Sequence, residues 1–175
     1  MICGEQQQRE IKTIKERNIH LKLSDADCER IAEKAGKVGL TVAELLEAFI
    51  GDLVCGTYSN GSDERDYAKC WFNRCWFGMF PEETLLSFLL NSLEYNVEDF
   101  LALPKKIEEK KGELEYYIKE YPEDAENPRM ELDSLNQEFK EIKDTFLKEN
   151  EKADWQKEIE KVKKWMKEVQ ELKGE

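Results

Sequence analysis

The sequence is poor in histidine and in turn-forming residues, with 1 histidine, 9 glycines and 4 prolines among 175 residues. With His20 as its single imidazole, the chain offers little material for a histidine-based catalytic triad or for a Cys/His zinc site. It also contains no glycine-rich phosphate-binding loop of either common form. We therefore predict a protein that is not an enzyme and that uses no metal and no cofactor.

Long apolar runs are also missing, since no stretch approaches the roughly 20 residues of a membrane-spanning helix. The first ten residues lack the basic flank and apolar core of a secretory signal. The five cysteines have no paired spacing, and the spacing of Cys70 and Cys75 fits neither a zinc knuckle nor a redox motif. We interpret them as reduced thiols and predict a cytoplasmic protein that does not enter a membrane.

Basic residues are outnumbered, with 27 Lys and Arg against 39 Asp and Glu, so the net charge is −12. Such a chain does not bind nucleic acid through its overall charge, whereas it favours basic partners. The charge is unevenly spread, being −2 in residues 1–56, −5 in residues 57–104 and −5 in residues 105–175. We predict three domains with these boundaries.

The last zone is rich in Lys and Glu, and its apolar residues recur every three or four positions in two seams. The first seam comprises Leu132, Leu135, Phe139, Ile142 and Phe146, and the second comprises Trp155, Ile159, Val162, Met166 and Val169. This spacing is typical of an antiparallel helical hairpin or a small bundle. Packing within the chain and an intermolecular coiled coil both fit the seams, and we favour the first.

Residues 17–54 carry the most informative pattern. Apolar and polar residues alternate over residues 18–23, as in a strand with one buried face. The apolar residues are Ile19, Leu21 and Leu23. Capping boxes at Ser24 and Thr41 then predict two helices. A lone strand needs a second one for its backbone groups, and the simplest source is a second copy of the chain.

This order of strand, helix, turn and helix resembles the ribbon-helix-helix family of DNA-binding proteins, seen in small phage and plasmid repressors. The resemblance is carried by three segments, which are Ile19-His20-Leu21-Lys22-Leu23, the turn Val38-Gly39-Leu40, and Thr41-Val42-Ala43-Glu44-Leu45-Leu46. It implies a homodimer from a phage or mobile element that acts as a regulator, with paired strands in the major groove of DNA.

The resemblance also implies a set of DNA-binding residues. Base contacts would come from the polar side of the strand, namely Asn18, His20 and Lys22. A phosphate would meet the start of the second helix near Thr41. A basic arm precedes the strand and consists of Arg9, Lys12, Lys15 and Arg17.

The acidic remainder of the chain supports an alternative hypothesis, an acidic inhibitor of a nucleic-acid-handling enzyme. Carboxylate-rich faces compete with phosphates for Lys and Arg. In size, charge and texture the chain is loosely similar to anti-CRISPR proteins, some of which bind Cas nucleases. The candidate protein-binding residues are four acidic pairs: Asp63 and Glu64, Glu82 and Glu83, Glu98 and Asp99, and Glu123 and Asp124.

The expected fold is therefore mostly all-α. A short N-terminal strand and two helices form a ribbon-helix-helix-like unit over residues 1–56. An aromatic-rich helical core follows over residues 57–104, with an aromatic cluster that includes Trp71, Phe72, Trp76, Phe77 and Phe80. A Lys/Glu-rich antiparallel hairpin, bundle or coiled coil completes the chain over residues 105–175.

Overall fold

The computed structural model describes residues 8–75 and 83–174. The chain divides into two compact units, Met1–Pro81 and Glu82–Glu175. Counted on the sequence, the first unit has 11 basic and 13 acidic residues, a net charge of −2, and the second has 16 and 26, a net charge of −10. In the described ranges every regular element is helical, which confirms the mostly all-α character.

Besides a helical stretch over residues 8–11, the described part of the first unit contains the helices α1 (Asp25–Gly36), α2 (Val42–Val54) and α3 (Ser62–Arg74). The predicted caps at Ser24 and Thr41 are confirmed, because each side chain accepts a hydrogen bond from the backbone N–H three residues later. Gly39 lies in the turn between α1 and α2 with a φ of +77°, a left-handed conformation that glycine adopts without strain.

The predicted N-terminal strand is wrong. Residues 14–24 have no regular secondary structure, and residues 8–11 are helical. Ile19, Leu21 and Leu23 are 54%, 59% and 53% exposed, so the alternation does not produce a buried face. A strand needs a neighbour for its backbone N–H and C=O groups, and the described part of the chain supplies no second strand. The ribbon of the ribbon-helix-helix interpretation is therefore absent.

The connection between α2 and α3 is fixed by Asp52, a buried charged side chain of α2. Its carboxylate accepts hydrogen bonds from the Asn60 backbone N–H at 2.7 Å and from the Asn60 side-chain amide at 2.9 Å. Hydrogen bonding from Asn60 holds the pKa of Asp52 below its ordinary value of 3.8, against the opposing effect of burial. Asp52 thus ties the loop after α2 back onto the helix.

Gly51 should be intolerant of a side chain. A Cβ atom at this position would lie 2.7 Å from the Tyr58 carbonyl carbon and 2.8 Å from the Ser59 nitrogen, both of which are backbone atoms that cannot rotate away. We expect Gly51→Ala to destabilise the first unit by about 1–3 kcal/mol. Hydrogen exchange followed by mass spectrometry on peptides from residues 42–61 measures this unit separately.

Gly36→Ala is the matched control, because nothing lies within 4 Å of its Cβ position at the end of α1. Exchange in the Gly36 variant should be unchanged or slower, since alanine restricts the unfolded chain. Equal exchange rates in the Gly51 variant and the wild type would contradict the close packing of Gly51.

The second unit begins with α4 (Leu85–Ser87), which continues as a π-helical turn over Phe88–Ser92. Three long helices follow, α5 (Val97–Glu120), α6 (Glu126–Glu149) and α7 (Trp155–Lys173), with a 3-10 turn, Pro122–Asp124, before α6. Within the ranges described, no helix combines the length and the apolar character that a membrane span requires.

Helices α5 and α6 form an antiparallel hairpin. Phe100 near the start of α5 stacks on Phe139 in the middle of α6, while Lys110 further along α5 pairs with Glu131 near the start of α6. Asn96 caps α5, because its side chain accepts hydrogen bonds from the backbone N–H groups of Glu98 and Asp99. Pro104 lies inside α5.

Both predicted seams pack within the second unit. The buried core draws on α4, the π-helical turn, α5, α6 and α7; its members are Leu85, Phe88, Leu89, Val97, Phe100, Leu103, Ile142, Phe146 and Val162. The Trp155 ring contacts Phe100, Phe139 and Phe146 at centroid distances of 6.0 to 6.2 Å. The seams therefore serve intramolecular packing, as we predicted.

Two polar contacts attach the shorter segments to this core. Leu85 is the first residue of α4, so its backbone N–H has no partner within the helix. This N–H donates a hydrogen bond at 3.0 Å to the buried Glu158 carboxylate. The Tyr95 hydroxyl donates to Glu138 of α6, and burial together with this contact raises the pKa of Tyr95 to about 12. Residues 85–96 are thereby held against α6 and α7.

Candidate functional site

All but one of the residues that the resemblance assigns to DNA lie in the segment that precedes α1, and the exception is Thr41 at the start of α2. Each of them before α1 is exposed, and they are Arg9, Lys12, Lys15, Arg17, Asn18, His20 and Lys22. Residues 8–23 contain five basic and two acidic side chains, a local net charge of +3 inside a unit of −2. Arg17 donates to the Thr13 carbonyl oxygen at 3.0 Å. The structure gathers positive charge here without arranging it on a strand.

The start of α2 presents a carboxylate where the resemblance places a phosphate. The Glu44 side chain accepts hydrogen bonds at 2.8 Å from both the backbone N–H and the hydroxyl of Thr41. These bonds hold the pKa of Glu44 below its ordinary value of 4.5, so Glu44 is charged at neutral pH. A phosphate near Thr41 would have to displace or repel this carboxylate.

The acidic pairs predicted to bind a protein are divided between the two units. Asp63 and Glu64 are exposed in the first turn of α3, in the first unit. Glu83 of the second unit is half-buried and accepts a hydrogen bond from Asn150 at 2.8 Å, so it has a structural contact. Glu82 lies outside the described residues.

The two remaining pairs are exposed at opposite ends of the α5–α6 hairpin. Glu98 and Asp99 lie in the first turn of α5, and Glu123 and Asp124 lie in the 3-10 turn that follows it. A helix of the length of α5 separates them by about 36 Å. Near the first pair, Asp99 contacts Lys106 at 3.4 Å, which partly compensates its charge.

The structure adds residues at the second of these ends that sequence reasoning missed. We define the hairpin end as residues 113–131, which hold seven acidic and two basic side chains and thus half of the net charge of the second unit. It also presents three tyrosines in ring contact. The ring centroids of Tyr116, Tyr117 and Tyr121 are 5.9 to 6.3 Å apart. The signal in the sequence was three tyrosines outside either seam, beside Pro122.

A surface cleft of about 350 Å³ lies within the hairpin end. Its lining is mostly polar and consists of Glu113, Tyr117, Asp124, Asn127, Pro128 and Glu131. Carboxylates and a tyrosine ring are both groups that recognise cations. In the described part of the chain, no three His, Cys, Asp or Glu side chains are grouped in a way that could hold a metal ion.

A second cleft, of about 490 Å³, lies on α3 in the first unit. Tyr67, Cys70, Trp71, Arg74 and Cys75 line it, and its surface is largely apolar. Trp71 and Phe72 of the predicted aromatic cluster are exposed, and Trp71 contacts Phe49 of α2 edge-on. Trp76, Phe77 and Phe80 lie outside the described residues.

Comparisons with family models, with curated proteins and with solved structures gave no match to this chain. Exposed aromatic rings, excess negative charge and a cleft lined by carboxylates coincide at the hairpin end. The hairpin end is for these reasons the candidate functional site of the second unit.

Lys110 should be the residue that holds the hairpin end closed. Its ammonium group pairs with Glu113 at 2.7 Å on its own helix and also with Glu131 on α6. These hydrogen bonds raise its pKa above the ordinary value of 10.5, so the stabilisation persists at neutral pH and is lost only when the pH rises through that elevated pKa. We expect Lys110→Met to accelerate hydrogen exchange severalfold in peptides from residues 113–131.

Lys106→Met is the control, because Lys106 lies on the same helix and, within the described residues, forms its ion pair with Asp99, near the other end of the hairpin. Exchange in residues 113–131 should stay at the wild-type rate in this variant. If the two lysine variants exchange equally fast there, the inter-helix role of Lys110 is disproved.

Proposed function

We propose that the chain is a non-catalytic binding protein whose Glu82–Glu175 unit occupies the nucleic-acid-binding surface of a basic protein. In this role it acts as an acidic inhibitor of a nucleic-acid-handling enzyme, such as a Cas nuclease, on behalf of a phage or mobile element. The observation that carries the proposal is the segregation of charge, with −10 of the total −12 on one helical unit.

The distribution of exposed carboxylates supports this proposal. The positive charge of a basic groove is normally neutralised by nucleic-acid phosphates. Exposed carboxylates on a helical body carry negative charge that can take the place of these phosphates. Glu98, Asp99, Glu123 and Asp124 are all exposed in this way. A net negative charge speeds association with a basic partner, and this attraction weakens as salt screens it. The exposed thiols Cys28, Cys55 and Cys70 fit a reducing compartment, and we propose the cytoplasm.

The electrostatic step is tested with fluorescein-labelled nona-arginine and the full chain. We expect binding that weakens roughly tenfold or more as sodium chloride rises from about 50 to 500 mM, because the interaction is screened. A labelled Gly-Ser peptide of equal length is the control and should not bind. Absent or salt-insensitive binding of nona-arginine would overturn the electrostatic proposal.

The inhibitory step is tested by DNA cleavage with a panel of purified Cas nucleases at a molar excess of the chain. We expect cleavage by a susceptible nuclease to fall in proportion to added chain and to recover at higher salt. Unchanged cleavage across the panel would remove Cas nucleases from the proposal.

A second candidate function is DNA contact by the first unit, which the exposed +3 segment of residues 8–23 favours. We propose that this segment contacts the phosphate backbone, since exposed lysine and arginine side chains bind DNA phosphates through charge. The homodimer implied by the ribbon-helix-helix resemblance remains a prediction.

Polarisation of a labelled duplex from the DNA that flanks the gene tests this contact. The double variant Lys12→Glu and Lys15→Glu should abolish binding, because it changes the segment from net positive to net negative. Lys34→Glu on α1 is the control and should bind nearly as well as the wild type. Equal losses in both variants, or no wild-type binding at micromolar protein, would refute DNA contact by the segment.

A further inference from the structure

The hairpin end presents apolar surface that the core of the second unit does not use. Tyr116, Ile118, Tyr121 and Met130 are 55%, 50%, 48% and 62% exposed. Among the described residues, neither the buried core cluster nor the hydrophobic residues packed against it include any member of residues 113–131. Exposed aromatic and methionine side chains of this density are typical of protein-binding surfaces.

The tyrosines are arranged before any partner arrives. Each of the three rings lies within 6.3 Å of the other two, so their rotamers are constrained by mutual packing. Tyrosine has few rotatable bonds and buries a large area, and it is enriched among residues that dominate binding energy. Ordering these side chains on binding therefore costs little conformational entropy.

The charge around the tyrosines selects the kind of partner. Of the seven acidic residues, Glu113 and Glu131 are paired with Lys110, and Glu120 is paired with Lys119 at 3.1 Å. The others are exposed and have no salt bridge within the described residues; they are Glu115, Glu123, Asp124 and Glu126. The nearby cleft of about 350 Å³ adds Tyr117 and Asn127 as groups that can meet a cationic side chain.

This charge disfavours the competing occupants. A second copy of the hairpin end, a nucleic acid and an anionic lipid surface would each bring like charge against these carboxylates. A purely apolar helix would bury the tyrosines but would leave the carboxylates desolvated and unpaired. A protein segment that carries both Lys or Arg and apolar side chains satisfies both requirements.

We propose that the hairpin end, residues 113–131, is the docking surface for such a basic amphipathic segment of the partner protein. The proposal rests on the proposed function, because it names the part of the second unit that the basic partner contacts. Apolar partner side chains pack on Tyr116 and Tyr121, and a Lys or Arg side chain enters the cleft beside Tyr117 and Asp124.

Two labelled 12-residue peptides of equal charge test the surface with the full chain, one of arginine and leucine and one of arginine and serine. The wild type should prefer the arginine–leucine peptide by about tenfold or more, as expected for burial of several leucines. The double variant Tyr116→Ser and Tyr121→Ser should lose this preference while keeping its helical circular dichroism.

The control is the double variant Tyr58→Ser and Tyr67→Ser, which removes two exposed tyrosines from the first unit and should keep the preference. A second variant, Glu123→Lys with Asp124→Lys, guards against a folding defect of the serine variant. It retains every tyrosine and should weaken both peptides.

The outcomes separate this proposal from the proposed function. If the wild type binds both peptides and the hairpin-end variants bind them equally well, the docking surface is refuted while acidic binding stands. If the control tyrosines matter as much as Tyr116 and Tyr121, the docking surface is also refuted. If the wild type binds neither these peptides nor nona-arginine, the proposed function fails.

Discussion

The indole of Trp155 is the contact on which the second unit depends. It stands at the first residue of α7 and touches Phe100 of α5 as well as Phe139 and Phe146 of α6. Lys143 of α6 lies 5.8 Å from the centre of the same ring, which adds a cation–π contact. A single ring thereby joins three helices, and the α5–α6 hairpin is anchored at the end that carries these aromatics.

Anchoring at one end leaves the other end free for binding. Phe100 and Phe139 lie close to one end of the antiparallel hairpin, whereas Tyr116 and Tyr121 lie at the opposite end, beyond the core cluster. Ala125 just before α6 and Pro128 in the first turn of α6 are buried, so the exposed tyrosines lie beside a packed support. This division of the hairpin into a packed end and an exposed end is the physical basis for interpreting the hairpin end as a protein-binding surface.

Local sequence patterns correctly predicted the features of the fold that depend on local interactions. The caps at Ser24 and Thr41 depend only on neighbours within a few residues, the two seams depend on a helical repeat, and the structure has both. The strand over residues 18–23 failed because pairing requires a partner that alternation cannot supply. The hairpin end was not predicted because it is recognised by the tyrosines that the core leaves exposed. Which tyrosines these are depends on how the helices pack together.

Lys110 reconciles the charge of the hairpin end with its stability. Seven carboxylates within 19 residues repel one another, and this self-repulsion favours opening of the turn. Lys110 opposes it by joining Glu113 and Glu131 across the two helices, and its raised pKa keeps it cationic. A basic partner would supply further positive charge to the carboxylates that Lys110 does not reach. Partner binding and closure of the hairpin end would then reinforce one another, because whatever binds the closed form stabilises it.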